Sequence, residues 1–479
     1  MTRTIDSGDD SADTVAVTGK GTSKPLGAVI VAVGVPVFMV TLDNLVVTNA
    51  LPVIKAELGA SLADLQWFVN AYTLSFASLL LTASAIGDRV GRKRMFLGGL
   101  ALFMVASVAC ALATEPWMLI AARALEGAGG AAVMPLSLTL LAAAVPDRLR
   151  SAAIGIWGGI TGVGIALGPV IGGAVVDGLS WQWIFWINIP VGLVALPFCA
   201  AVLTESRGVA RRLDLLGLLL SAGGVLAVVW GVIHGADDGW TSRWVLSALI
   251  GGTALLVGFV AWERSTTSPM LPLRMFESRA LSLSYLISFG FSVGVFGSIF
   301  LLAQFFQVVQ GDSPFEAGLR TLPWTLAPMV VSPIAGLIVD RVGPRVLIAS
   351  GLAFLAVALG WLAAVTEPDS PYSIFVVPFV LAGTGMGLAF AATATIVMDS
   401  AKPVDHGMAS GISSTVREVG VAMGVASLAS VFASYGSYGA PRDYVDGLTP
   451  AVWVGAGVVA VTAVVALFLP RFTKQIDEA

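Results

Sequence analysis

Among the ionisable side chains inside long apolar runs of this 479-residue sequence are Asp43, Arg123, Glu126, Arg417 and Glu418. An ionised group near the middle of a membrane-spanning run costs roughly 2.5–3.5 kcal/mol, so it faces a partner or a cavity. A carboxyl group there suits proton exchange, and a guanidinium, which keeps its charge, is a natural partner for it. Asp43 lies ~24 Å along the first run and Arg123 ~10 Å along the fourth, which enters from the opposite side, so the two share a depth. One reading is a switchable pair that breaks when the carboxylate takes a proton. The other is a permanent pair that fixes helix packing. Glu126 follows Arg123 by three residues, on the same helix face, and competes as its partner. It either neutralises Arg123 statically or joins the proton exchange. Arg417 and Glu418 fall near mid-depth. Adjacent helical residues do not face each other, so each is expected to need its own partner or water. Glu418 is then a second protonation candidate or a packing residue.

Other chemistries lack their residues. Cys110 and Cys199 sit within apolar runs and read as small core residues. His234 and His406 stand at run ends and offer no buried relay. There is no set of metal-ligand spacing and no phosphate-binding loop, so the expectation is no metal, no cofactor, no enzymatic chemistry and no ATP-driven step.

The elements that must position these charges follow from composition. Mean hydropathy is +0.89, with 57% apolar and 12% charged residues. Soluble globular proteins carry about 25% charged residues. That deficit excludes an ordinary soluble enzyme and a disordered chain, and a net charge of −4 without a basic stripe argues against a nucleic-acid partner. The expected class is an all-α integral membrane protein lying in a lipid bilayer. Fourteen spanning runs are expected near 27–50, 66–87, 95–113, 117–144, 151–176, 183–204, 213–234, 244–262, 281–305, 316–339, 345–366, 372–398, 407–433 and 450–470. With both termini cytoplasmic, the inner segments hold twenty Lys and Arg and the outer loops three: Lys55, Arg243 and Arg442. That is a strong positive-inside asymmetry. The predicted location is the inner (cytoplasmic) membrane.

The sequence repeats itself. Asp88, Arg89, Val90, Gly91, Arg92 and Lys93 return as Asp340, Arg341, Val342, Gly343, Pro344 and Arg345. Gly127 and Gly129 return as Gly383 and Gly385, and Gly164 and Gly168 as Gly420 and Gly424. Helices 1–6 therefore match helices 9–14. The expected organisation is a disordered tail 1–26, a six-helix bundle 27–204, a two-helix insertion 213–264, a second six-helix bundle 281–470 and a tail 471–479. Parallel six-helix repeats around a midplane site are an architecture of secondary transporters.

The motifs resemble those of the major facilitator superfamily, in its fourteen-helix drug:proton antiporter branch, the QacA/EmrB type. Asp88 to Arg94 is similar to the family's cytoplasmic signature loop, with Ser84 where that loop usually begins with Gly. Arg123 to Gly127 resembles the helix-4 motif, with Glu126 in place of the usual Gln. Gly164, Gly168, Pro169, Gly172 and Gly173 resemble the helix-5 antiporter motif. Leu42-Asp43 to Leu51-Pro52, and Ser180-Trp181-Gln182-Trp183-Ile184-Phe185 to Asn188 and Pro190, resemble marks of the branch.

The resemblance implies that Asp88, Arg89, Gly91, Arg92 and Lys93, with Asp340, Arg341, Gly343 and Arg345, form a cytoplasmic latch, the alternative being plain topogenic charge. It implies a close, bent seam along helix 5, where small residues permit helix approach and proline kinks the helix. Helix 10 has no deep acid, which speaks against dicationic substrates. Tyr72, Phe296, Phe300, Gln304, Gln307, Trp324 and Trp361 are candidates to line a substrate cavity. The expected activity is proton-coupled export of hydrophobic or amphiphilic small molecules by a monomer through alternating access. A nutrient importer of the same fold and a non-transporting membrane sensor are the alternatives. The helix-5 motif and the absence of any sizeable soluble segment argue against them.

Overall fold

The computed structural model describes residues 25–207, 213–267, 269, 271–401 and 406–470. The two tails expected at 1–26 and 471–479 lie almost wholly outside the described residues. Among the described residues there is no strand, and fourteen helices are long and apolar enough to cross a membrane. They are α1 (Leu26–Leu58), α2 (Leu62–Val90), α3 (Arg92–Ala111), α4 (Pro116–Ala144), α5 (Asp147–Gly178), α6 (Trp183–Val202, interrupted at Ile187), α7 (Leu215–Asp238), α8 (Arg243–Ser265), α9 (Arg279–Val308), α10 (Pro314–Val342), α11 (Pro344–Val365), α12 (Ser373–Ser400), α13 (His406–Tyr435) and α14 (Pro441–Ala466).

Most helices outrun the apolar runs that announce them. The runs mark what lies in hydrocarbon, whereas capping chemistry marks where the helix ends. α1 continues past its expected end at 50 to Leu58 and stops at Gly59, whose φ of 63° a glycine adopts without strain. α2 starts four residues before its expected start because Ser61 and Asp64 form a reciprocal capping box. α14 starts at Pro441, nine residues before its expected start, with proline in the first turn where no backbone donor is missed.

The two halves pack alike. In the first, α3 lies on α4, α4 on α2 and α1 on α5; in the second, α11 lies on α12, α12 on α10 and α9 on α13. Glycine makes this possible. A methyl group on Gly129 would fall 2.8 Å from the Gly99 carbonyl oxygen, and one on Gly351 2.6 Å from that of Gly385. Bare backbone therefore meets bare backbone at equivalent places in both halves, the close approach that membrane helices reach with small residues. The halves meet along two seams, α5 against α10 and α2 against α13. The insertion bridges one of them. α7 packs on both α2 and α13, with Val229 and Ile233 against Leu74, Ala422 and Ala426, and α8 packs on α7.

One end of the bundle carries the basic loops. There Gly91 (φ 129°) and Gly343 (φ 88°) turn the chain between α2 and α3 and between α10 and α11, in backbone conformations that favour glycine. Ser206 belongs to this end, since its carbonyl accepts the Arg92 backbone N–H at 2.9 Å, and α8 ends there at Ser265. Gly239, between α7 and α8, emerges at the other end. Single cysteines at Ser206 and Ser265 should therefore react with a membrane-impermeant thiol reagent from one side of the membrane only, and one at Gly239 from the opposite side only. Labelling of all three from one side would break the fourteen-span topology.

Candidate functional site

Five helices of the first half converge on one guanidinium. α4 supplies Arg123 and, one turn on, Glu126; α1 supplies Asp43; α3 supplies Ser107 and Cys110; α6 supplies Asn188; α2 supplies Phe68 and Tyr72. Arg123 Nη1 donates to Asp43 Oδ2 at 2.5 Å and to Glu126 Oε2 at 2.7 Å. Its Nε donates to the Phe68 carbonyl at 3.2 Å, and its guanidinium lies 4.3 Å from the centre of the Tyr72 ring. Each carboxylate has further donors. Ser107 Oγ donates to Glu126 Oε1 at 2.5 Å, Cys110 Sγ approaches Glu126 Oε2 at 3.4 Å, and Asn188 Nδ2 donates to Asp43 Oδ1 at 3.2 Å and to Ser107 Oγ at 2.9 Å. Asp43, Arg123 and Glu126 are 2%, 1% and 0% exposed. The rivalry between the two acids thus resolves into sharing. Fully ionised, the cluster carries one net negative charge in a medium that penalises it, and a single added proton makes it neutral.

A cavity of about 2080 Å³ opens between the two halves, its mouth at the basic end among Asp88, Arg92, Arg264 and Arg274. Its walls are aromatic and methionine-rich, with Phe76, Trp157, Phe291 and Phe390 beside Met134, Met329, Met386, Met398 and Met408. Flexible thioethers repack around ligands of differing shape. Tyr72 joins the two features, since it lines the cavity while its ring covers Arg123.

A family model described as Major Facilitator Superfamily matches residues 37–319 and 284–477. The chain belongs to the major facilitator superfamily. Its relatives include the tetracenomycin C resistance and export protein of Streptomyces glaucescens, 35% identical over 85% of this chain and 76% of that one. The cephamycin export protein CmcT of Amycolatopsis lactamdurans is 37% identical over 91% of each. A bacterial homologue of the human lysosomal transporter Spinster, solved in an inward-facing and unoccupied conformation, has the same fold at a TM-score of 0.69 and 16% identity, covering 95% of this chain and all of that one.

Within this major facilitator fold the ion cluster is one-sided. The repeat offset that carries Gly127 to Gly383 carries Arg123 to Phe379 and Glu126 to Ala382. Phe379 packs with Phe306, Phe375 and Trp324, so the second half holds an aromatic core where the first holds charges.

Arg417 and Glu418 both line the cavity, and the expectation of separate partners is corrected. Arg417 Nη2 reaches Glu418 Oε1 at 3.2 Å, because the long side chain folds back over the helix surface, and the same guanidinium lies 5.4 Å from the centre of the Phe390 ring.

The candidate latch is held within the first half. Asp88 pairs with Arg92 at 2.7 Å, Lys93 Nζ donates to the Ala200 carbonyl at 2.6 Å, and Arg89 is exposed. The carboxylate at a helix N-terminus is that of Glu205, which accepts the Lys93 and Arg94 backbone N–H groups at 3.0 and 3.3 Å. In the second copy Arg341 is exposed and Arg345 half-buried; the Asp340 side chain lies outside the described ones.

Of the expected cavity residues, Tyr72 and Phe296 line it. Phe300, Gln304, Gln307 and Trp324 do not, since the bundle is closed at their level, and Trp361 does not, since it stands on an outer face. Phe300 is buried, and its carbonyl accepts the Gln304 side chain at 2.7 Å; Gln304 in turn accepts from the Tyr438 hydroxyl at 2.7 Å. Gln307 donates to the Asn49 carbonyl of the other half at 2.8 Å. Trp324 borders a separate recess of about 40 Å³, and Trp361 is 43% exposed on α11. Lys55, 3.5 Å from the centre of the Tyr438 ring, adds a second bridge between halves at this end. At the turn between α9 and α10, Arg320 pairs with Asp312 at 2.9 Å; burial pushes the Asp312 carboxyl above its ordinary range and the guanidinium opposes that shift.

Of the groups missed in sequence, Ser107 and Cys110 carried no signal, because both read as small residues of a spanning helix. Asn188 had one, as a polar residue in an apolar run and part of a branch mark.

The helix-5 glycines make the closure. Gly172 lies against the Val46 backbone, and a methyl group on Gly168 would fall 2.8 Å from Leu45 Cβ. One on Gly173 would collide with the Pro314 carbonyl of α10. Gly173→Ala should therefore be inserted and folded but unable to close α5 on α10, with transport at least about tenfold lower. Wild-type transport by the alanine variant would show that the two backbones never need this approach.

Proposed function

We propose that this protein is a proton-coupled antiporter that exports hydrophobic or amphiphilic small molecules across the cytoplasmic membrane by alternating access. In this reading the basic end faces the cytoplasm, both termini lie there, and the structure is the state open to the cytoplasm. The positive-inside asymmetry supports that orientation. Relatives named as antibiotic export proteins support the export role, and the aromatic, methionine-lined cavity suits such ligands. One chain contains both halves, the cavity and the ion cluster, which supports action as a monomer.

The coupling role rests on one observation, the sharing of Arg123 Nη1 by Asp43 and Glu126 beside a cavity residue. A proton arriving on Asp43 removes the charge that holds Arg123 toward α1. The guanidinium then rests on Glu126 alone, within its own helix, and α1 and α4 are freer to shift. Proton loss restores the tie. Because Tyr72 lies between Arg123 and the cavity, a ligand against Tyr72 presses on the ring that covers the same guanidinium. Inward proton movement is favoured by about 2.3 kcal/mol per charge per 100 mV.

The test is Asp43→Asn in proteoliposomes. Asparagine keeps the shape and its single Oδ1 still accepts from Arg123, with the weaker Asn188 contact at 3.2 Å given up, while Glu126 still neutralises Arg123. Folding and melting temperature should therefore stay near wild type, and ligand binding should persist but lose its dependence on pH. Export driven by a pH gradient should fall to background, and Asp43→Glu should keep part of it. Uphill export by a well-folded Asp43→Asn protein would move the coupling to Glu126 or Glu418.

A further inference from the structure

Three polar residues carry buried side-chain atoms without a partner along the seam between α2 and α13. Both amide atoms of Asn70, the Oε1 of Gln66 and the Oγ of Ser430 are buried without a hydrogen-bond partner among the described residues. Asn70 is 0% exposed, Gln66 2% and Ser430 3%. Their positions have a common direction. On α2, Ala63, Trp67 and Leu74 pack against α7 and α13, and Gln66 and Asn70 fall on the same face by helical spacing. On α13, Ala422 and Ala426 meet that face, and Ser430 continues their row one turn on. The contact runs toward the cavity mouth, where the Thr415 hydroxyl donates to the Ala77 carbonyl at 3.5 Å and Gly411 lies against Leu81.

The cavity reaches Tyr72 along α2 and stops there. Gln66 and Asn70 lie beyond it, within ~12 Å of the helix start at the far end. The seam is therefore closed over three polar residues beside an apolar cluster that includes Leu74, Val229, Ile233, Ala422 and Ala426. A buried polar group without a partner penalises the state that buries it. That penalty falls on this conformation alone if the seam parts at the far end and admits water.

We propose that Asn70, Gln66 and Ser430 line the passage that opens at the far end in the alternate state, and that their burial keeps the present state from becoming a resting trap. These are positioning residues that set the balance between two conformations. The proposal deepens the alternating-access reading and rests on it, but it requires neither proton coupling nor a particular substrate. A ligand's pull on such a balance equals its differential affinity for the two states, so a small intrinsic gap lets modest binding energies drive the cycle.

Accessibility tests this without substrate or gradient. Cys110 and Cys199 are buried, which leaves a low background. The Asn70→Cys variant is expected to react with a membrane-impermeant maleimide from the side where Gly239 emerges, although the present state buries that position. A reporter at Thr48→Cys, which borders the small recess between the halves, gives the rate of far-end opening. Asn70→Leu keeps the branching at Cγ and removes the amide, so that rate should fall about tenfold, the equivalent of one unpaired buried group. The melting temperature should rise. Asn70→Ala, which adds no bulk, should slow the reporter likewise and decides the matter if the leucine variant does not fold. Failure of the Asn70→Cys variant to label while the Thr48→Cys reporter labels would overturn the proposal, as would leucine and alanine variants that leave the reporter rate unchanged or speed it. Loss of pH-driven export with labelling intact would instead strike the antiporter reading and spare this one.

Discussion

A single guanidinium held between two carboxylates in the interior of a membrane protein constrains everything around it. None of the three charges can be left unpaired there, so each must be reached by donors or acceptors from neighbouring elements. That requirement draws α1, α2, α3, α4 and α6 together. Gly127 follows Glu126 directly and lies so close to the Tyr72 backbone that a side chain would collide with it, which brings α4 against α2 and places the Tyr72 ring beneath Arg123. Asn188 at the start of the second stretch of α6 ties α6 to both α1 and α3. A buried ion pair is a weak source of stability once desolvation is counted, and its best-attested use is to specify one arrangement or to switch between two.

The two halves share a backbone plan and differ in what fills it. Glycine meets backbone at equivalent places in both, because helix crossing depends on bulk rather than polarity. The filling diverges where Arg123 and Glu126 correspond to Phe379 and Ala382. An aromatic core needs no compensating charge and has no protonation state. At this place the second half is held by packing alone, and the first by ties that depend on charge. The insertion adds a further asymmetry, since α7 spans the α2–α13 seam.

The resemblance of the motifs to a transporter family was legible because each motif is local. The signature loop, the helix-4 and helix-5 motifs and the Asn188 mark are short stretches whose chemistry survives reading in isolation. The cavity residues were not legible. Tyr72 and Gln304 are both polar or aromatic residues in spanning helices, and nothing in their neighbours along the chain separates a residue beside the open cavity from one inside the closed end. Likewise Arg417 and Glu418, judged by helical spacing, should point apart, yet a long side chain can fold back to its neighbour.

By itself the sequence determined the class, the number of spans, the two-fold repeat and the presence of costly charges at one depth. These follow from hydropathy, basic-residue placement and spacing, which are properties of position along one chain. Only the tertiary structure decided that Arg123 serves Asp43 and Glu126 together, that Glu205 sits at the α3 N-terminus, and that the Asn70 amide and the Gln66 Oε1 lie unpaired on a seam between halves. Each depends on which helices meet at that point, and pairing between distant helices is set by the packing of the whole bundle.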